Sequence, residues 1–386
     1  MCPIGPYSAP ISASRSVLFL GMILLFNGGC EKIPTFKELT KQETAAPATV
    51  APPATHTQPP PDQQSSEAIP VAMSPEDSQR LITDFKNKPT QHRNNQDLAQ
   101  ISNLTASLAE FSELDLTGSG VTDDGLQHLA KLLNLESLNL TATKITNTGL
   151  SVTTSLPKLT KVTLNGCLIS LPMIETLSKL ERLEFLSLES TKVGDTELPP
   201  LANLSQLKEL DLSYCPITDN AFKVLGSIKN LAVLRVGHTG INGSGMQFMK
   251  RKKTEAGLRV LNANVTRFGE QGLQFVKGIE TLEELDIANA GVTDRAISLN
   301  LKGLPHLKRL NLSYNLEITD KGTQVLGAIK SLEELSLANC QHVGDQTLFY
   351  LKGNKELVNL NVNGCGGVTP KGIQSLKKFL PNCEFR

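Results

Sequence analysis

The stretch from Leu207 to Asn230 reads LKELDLSYCPITDNAFKVLGSIKN, and two different apolar periods meet within it. In LKELDL the alternation is that of a strand, so Leu210 and Leu212 point to one side while Glu209, Asp211 and Ser213 point to the other. Cys215, ninth from Leu207, and Ile217 then turn inward from a loop. Thr218-Asp219 is a helix start: the hydroxyl can cap the first turn, and the carboxylate sits favourably at its positive end. Ala221 to Ile228 follows with Phe222, Leu225 and Ile228 at helical spacing. A strand and helix this short cannot enclose a core by themselves, so the apolar side has to be covered by neighbours of the same kind.

Those neighbours are present on both sides. LESLNLTATKITNTGL begins at 135, LKRLNLSYNLEITDKGTQVL at 307 and LEELSLANCQHVGDQTLFYL at 332. Eleven units start at residues 111, 135, 159, 183, 207, 231, 258, 282, 307, 332 and 357. The shared pattern, L-x-x-L-x-L-x-x-(N/C/T)-x-x-(I/V)-T-D-x-G-L-x-x-L, resembles the leucine-rich repeat, and the resemblance covers residues 111–386. It implies an α/β solenoid, a horseshoe with a parallel concave sheet about 50 Å along its arc and helices on the convex side. Pro172, Pro199 and Pro200 should shorten or break the helices of units three and four. The tail LPNCEFR reads as a strand that closes the C-terminal end. With Cys or Thr in ninth place and TDxGL at the helix start, the units are similar to the cysteine-containing subclass of these repeats. That subclass is found in eukaryotic F-box proteins and in bacterial envelope proteins, notably of planctomycetes. The F-box likeness would imply substrate recognition for ubiquitin ligases, but residues 71–110 lack the Leu-Pro start and the Trp of that module.

Ninth place holds Ser119, Thr143, Cys167, Thr191, Cys215, Thr239, Thr266, Ala290, Asn315, Cys340 and Cys365. A small polar group turning inward there can meet loop backbone groups that would otherwise be buried unpaired. Cys383 falls where a twelfth unit would begin. The cysteines thus have posts without a disulfide framework, and with no C-x-x-C and no His beside Cys340 and Cys365, neither a metal nor any other cofactor is expected.

Ahead of the repeats the chain changes character three times. Arg15, the apolar run VLFLGMILLF (17–26) and the small residues after it have the layout of a secretory signal peptide in residues 1–30; the run is too short to span a bilayer, which needs about 20 residues. Asn27-Gly28-Gly29-Cys30 resembles a bacterial lipoprotein signal, which implies a lipid anchor on Cys30; Asn27 departs from it, standing where that family usually has Leu. An ordinary signal peptide cleaved nearby fits the same residues. Residues 31–75, rich in Pro, Thr and Gln, cannot bury enough apolar surface to fold and read as a tether, with or without a required length. Residues 76–110 read as one or two amphipathic helices, SPEDSQRLITDF and LAQISNLTASLAEF, that cap the open N-terminal end of the repeats. The expected setting is the cell envelope, membrane-anchored or, alternatively, secreted.

Lys plus Arg and Asp plus Glu each number 38, so no net charge draws this chain toward nucleic acid. Its expected role is that of a monomeric, non-catalytic protein-binding scaffold or receptor; a secreted effector engaging a host protein is the alternative. Outward places on the strands are the default contact surface, and most are small or acidic. Phe185, Tyr214, Arg235, His238 and Tyr314 are the large groups among them, of the kind enriched in binding hot spots, and Glu209 and Asp211 lie between. We centre the expected interface on Phe185 to His238; these same groups also read as scattered aromatics on a solvated sheet. The insertion around Lys250-Arg251-Lys252-Lys253 reads as a solvated basic bulge or as a contact for an anionic partner. Asp211, Ser213 and His238 have the composition of a hydrolytic triad, but an open sheet offers no oxyanion hole and does not exclude water. No phosphate-binding loop, dinucleotide fingerprint or metalloprotease motif is present in the sequence.

Overall fold

A computed structural model describes residues 73–104, 110–249 and 257–386. The expected leader, Cys30, the tether up to residue 72 and the basic run 250–253 lie outside the described residues.

Every unit contributes one short strand: β1 (Glu113–Asp115), β2 (Ser137–Asn139), β3 (Lys161–Thr163), β4 (Phe185–Ser187), β5 (Glu209–Asp211) and β6 (Val233–Arg235). The second half supplies β7 (Val260–Asn262), β8 (Glu284–Asp286), β9 (Arg309–Asn311), β10 (Glu334–Ser336), β11 (Asn359–Asn361) and the closing strand β12 (Glu384–Phe385). All pair in parallel and in chain order, in one open sheet. Equal places face each other, Leu210 opposite Leu234 and Asp211 opposite Arg235. Leu210, Leu212, Ile217 and Leu225 are fully buried, and so are most of their counterparts along the stack, with Ile169 and Val368 partly buried. Burying one such side chain stabilises by about 1.5–3 kcal/mol, which is why the repeat tolerates so little else in these places.

The ladder runs past the strands. Leu212 N–H donates to Arg235 O at 2.8 Å and Tyr214 N–H to Gly237 O at 2.9 Å, and this pair recurs from coil to coil. The second of these donors, the eighth residue of every unit, adopts a left-handed backbone: Gly118, Ala142, Gly166, Ser190, Tyr214, His238, Val265, Asn289, Tyr314, Asn339 and Gly364, with φ from 49 to 74°. That reversal sends the ninth side chain inward.

The side opposite the sheet is built of short α- and 3-10 turns. In the coil that starts at Leu207 the expected continuous helix is instead a 3-10 turn, Asp219–Ala221, followed by one α turn, Phe222–Leu225. Contrary to the sequence expectation, Pro172 does not break its helix; it occupies the first turn of Leu171–Leu177, where its missing N–H costs nothing. Pro199 and Pro200 do open a 3-10 turn, Pro199–Asn203.

The Thr-Asp pair does more than a local reading allows. Thr319 caps its own helix by accepting from Lys321 N–H, while its backbone N–H and hydroxyl both donate to Asp294 of the preceding coil, at 2.7 and 2.6 Å. Asp123 holds Thr146, Asp195 holds Thr218 and Asp345 holds Thr369 in the same way. The Gly of TDxG makes room for this clasp: a Cβ on Gly322 would stand 2.7 Å from Asp294 Cα.

Among the described residues two α-helices precede the first coil, α1 (Pro75–Asn87), started by Ser74, and α2 (Asn95–Ser102), which ends well before the expected Phe111. The segment Arg93-Asn94-Asn95 imitates the missing coil. Arg93 O accepts from Gly120 N–H as Ile217 O accepts from Gly240 N–H, and Asn95 grips Thr122 N–H and hydroxyl as Asp294 grips Thr319. The buried Arg93 guanidinium donates to Asp115 O, a carbonyl on the edge strand with no preceding strand among the described residues, and lies over the Phe85 ring. Edge carbonyls left bare would cost about as much as a lost hydrogen bond each.

Candidate functional site

Ninth place forms an inward polar column. Thr143, Thr191, Thr239 and Thr266 donate to the sixth carbonyl of their own coil at 2.6–2.7 Å. The cysteines reach back instead: Cys167 Sγ donates to Leu140 O, Cys215 to Leu188 O, Cys340 to Leu312 O and Cys365 to Leu337 O, each carbonyl in the preceding coil. Asn315 does both jobs and covers for the apolar Ala290: its Nδ2 donates to Ile287 O and Leu312 O, and its Oδ1 accepts from Ala290 and Val292 N–H. Burial pushes these thiols up, to about 12 at Cys340 and about 11 at Cys365, so they stay protonated and donate. This column maintains the scaffold and faces away from solvent.

The outward face is where recognition can occur. Fifth-place Asp and Asn side chains bend back to accept the seventh-place N–H, as Asp211 does from Ser213 at 2.9 Å and Asp286 from Ala288 at 3.1 Å. Asp211 is therefore engaged by its own loop. Arg235 is paired with Glu209, and Arg309 with Glu284 at 2.7 Å. Burial leads in shifting three groups on this face: Glu189 and Asp286 are raised and His238 is lowered, so the imidazole is neutral at neutral pH.

The expected cluster divides. Phe185 lies in third place, half-buried, with the Lys161 ammonium 4.6 Å from its ring centre. Tyr214 and His238 lie in eighth place, beyond the opposite ends of their strands, and stack on each other with ring centres 4.0 Å apart and planes 12° from parallel. Val265 continues the row at 39% exposure and Tyr314 stands two coils further on at 50%; Tyr214 is 51% exposed, so half of each tyrosine is free for contact. Among the described residues no hydrogen bond joins His238, Ser213 Oγ and Asp211 into a triad, and no cluster of His, Cys, Asp and Glu can hold a metal ion. Sequence reasoning missed Val265 and the eighth-place row as a unit. The signal lay in Gly118, Gly166 and Gly364 with Asn289 and Asn339, the residue types that tolerate left-handed backbone.

Repeat, register and site define a leucine-rich-repeat solenoid. The family pattern described as Leucine Rich repeat matches residues 111–130, 204–225 and 303–327. Among solved structures, an internalin from Listeria monocytogenes is similar at 21% identity and TM-score 0.55, over 81% of this chain and 94% of that one. A leucine-rich-repeat protein of Leptospira interrogans aligns at 17% identity and TM-score 0.41, over 74% and 91%. No curated protein matches the chain.

Proposed function

We propose that this protein is a non-catalytic scaffold or receptor that binds another protein through the outward sheet face, with the eighth-place row from Tyr214 to Tyr314 as its contact ridge. The observation that carries the reading is the choice of side chains at left-handed backbone. A left-handed residue with a Cβ costs roughly 1–2 kcal/mol, and for a β-branched residue such as Val265 the conformation is a genuine outlier. Gly or Asn, used in five other coils, would avoid most of that cost. Tyr, His and Val at the same place are large, exposed and against the local stability preference, which is what a surface selected for contact looks like. Open water access on the sheet supports a binding role over a catalytic one. In this reading the scaffold is exported and held at the cell envelope by a lipid on Cys30, with secretion as the alternative.

The test uses substitutions the fold already accepts. Tyr214→Asn with His238→Asn copies Asn289 and Asn339, so the far-UV spectrum should be unchanged. A partner captured from envelope extract and then purified should bind this double variant at least tenfold more weakly than the wild type. Undiminished affinity would remove the ridge from the interface. Separately, palmitate label should enter the wild-type chain in cells and be absent from Cys30→Ser; no label in either would favour secretion.

A further inference from the structure

Eighth place is not uniform along the stack. Coils one to four carry Gly118, Ala142, Gly166 and Ser190, all exposed, and a Cβ built on Gly118 or Gly166 meets nothing within 4 Å. Tyr214 begins the tall half. One face of its ring is covered by His238, 4.0 Å away in the next coil. Ser190 and Tyr214 share register and backbone, with φ of 58 and 59°, so the other ring face looks over Ser190, one strand spacing of about 4.8 Å away.

Beside Ser190 stands Glu189. Its half-buried carboxylate accepts from Asn165 Nδ2 at 3.2 Å, and among the described residues it has no salt-bridge partner. Four glutamates of this sheet surface are matched, Glu184 with Lys208 at 2.8 Å, Glu283 with Arg259 at 2.7 Å, and Glu209 and Glu284 with Arg235 and Arg309, while Glu113 and Glu334, at the outward start of their strands and away from Tyr214, share with Glu189 the lack of a salt bridge among the described residues. Burial and the nearby Asp211 make the lone charge more costly, with Arg235 opposing them.

We propose that the slot above Ser190, between the free face of Tyr214 and the Glu189 carboxylate, takes the guanidinium of an arginine side chain presented by the protein partner. This deepens the sheet-face reading and rests on it. A guanidinium has what both walls need, a flat face for the ring and in-plane donors for the carboxylate. An ammonium lacks the face, and a neutral ring would leave Glu189 without its cation.

The chain contains four tyrosines, so ring-labelled tyrosine gives a spectrum in which Tyr214 is identified by the loss of one signal in Tyr214→Phe. N-acetyl-arginine amide, titrated into the full chain at millimolar concentration, should move the Tyr214 signal saturably and leave Tyr314 and Tyr350 in place. N-acetyl-lysine amide should move it at least fivefold less, and Glu189→Gln, which keeps an acceptor for Asn165, should weaken the arginine response at least fivefold. Equal shifts with both probes, a motionless Tyr214 signal, or a response unchanged by Glu189→Gln would overturn the assignment. If partner capture still depends on Tyr214 and His238 after such a result, the contact ridge stands and only its arginine slot falls.

Discussion

Replacing Asp294 by Ala isolates the clasp between neighbouring coils. The substitution removes two charge-assisted acceptors, at 2.7 Å from Thr319 N–H and 2.6 Å from its hydroxyl, and leaves both donors part-buried in the groove between two coils. A hydrogen bond to a charged group is worth about 1.5–3 kcal/mol, and partial exposure lets water recover some of it, so the pair should cost about 2–3 kcal/mol. Asp294→Asn should behave quite differently. Asn95 already performs the clasp without a charge, its Oδ1 accepting from Thr122 N–H at 2.9 Å and its Nδ2 donating to the hydroxyl at 2.8 Å. Loss of charge assistance alone should therefore cost under about 1 kcal/mol. Urea unfolding followed by far-UV circular dichroism measures both, with the slope checked for a change, because a weakened contact in the middle of a repeat array can split the transition. A cost for Ala below about 0.5 kcal/mol, or equal costs for Ala and Asn, would refute the account of the clasp as a coil-to-coil bond.

Gly322→Ala should destabilise by about 1–3 kcal/mol, and Asp294→Ala should not rescue it, because the added Cβ would meet the Asp294 Cα at 2.7 Å and not only its carboxylate. Asn315→Ala exposes four buried backbone groups of two coils at once and should cost about 3–5 kcal/mol, with Asn315→Cys intermediate because a thiol can satisfy only a carbonyl; urea midpoints of the two variants test the order. Asp286 is raised by burial, so the folded state holds its proton more tightly than the unfolded chain, and its contribution is fully present below the ordinary carboxylate value and is lost as pH rises from there through the raised value. Asp286→Asn keeps the bond from Ala288 N–H in the manner of Asn262, Asn311 and Asn361, but turns an NH2 toward the Asn262 and Asn264 amides from which the carboxylate accepts at 3.3 Å, so it should compare less favourably with wild type at pH 4 than at pH 7; a difference that is the same at both pH values would contradict this. The thiols of Cys340, Cys365 and Cys383, at about 12, 11 and 11, should resist alkylation at pH 8 in the native chain and react after denaturation, as read by peptide mapping.

The repeat was legible because its signals are short-range. Leu210 and Leu212 alternate within one strand, Thr218 caps the turn beside it, and the match to Leu234 and Val236 in the next coil follows from counting. What escaped the sequence depends on partners a coil away or on backbone shape. Asp219 reads as a helix-end charge because the donors it accepts from, Asn242 and Gly245 N–H, are more than twenty residues downstream. Arg93 and Asn95 look like ordinary cap residues until the first coil is in place beside them. Tyr214, His238 and Val265 were readable as outward residues, but their common left-handed backbone has no side-chain signature, and only the Gly and Asn of other coils hint at it. For the same reason Phe185 was grouped with Tyr214 by adjacency of units, although it occupies the other end of the strand.

The clasp also gives the stack a direction. Each acceptor is offered only forward, from Asn95 to Thr122 at the start and from Asp345 to Thr369 near the end. The residue after Thr369 is Pro370, which has no acceptor to offer onward. A duplicated unit that carries Thr-Asp, such as that of Thr218 and Asp219, inherits both halves of the bond and joins its neighbours at once, whereas a unit placed directly after the Pro370 coil would meet a coil without that acceptor. Growth of the array is thereby channelled to the interior, where added coils lengthen the sheet and leave both ends as they are.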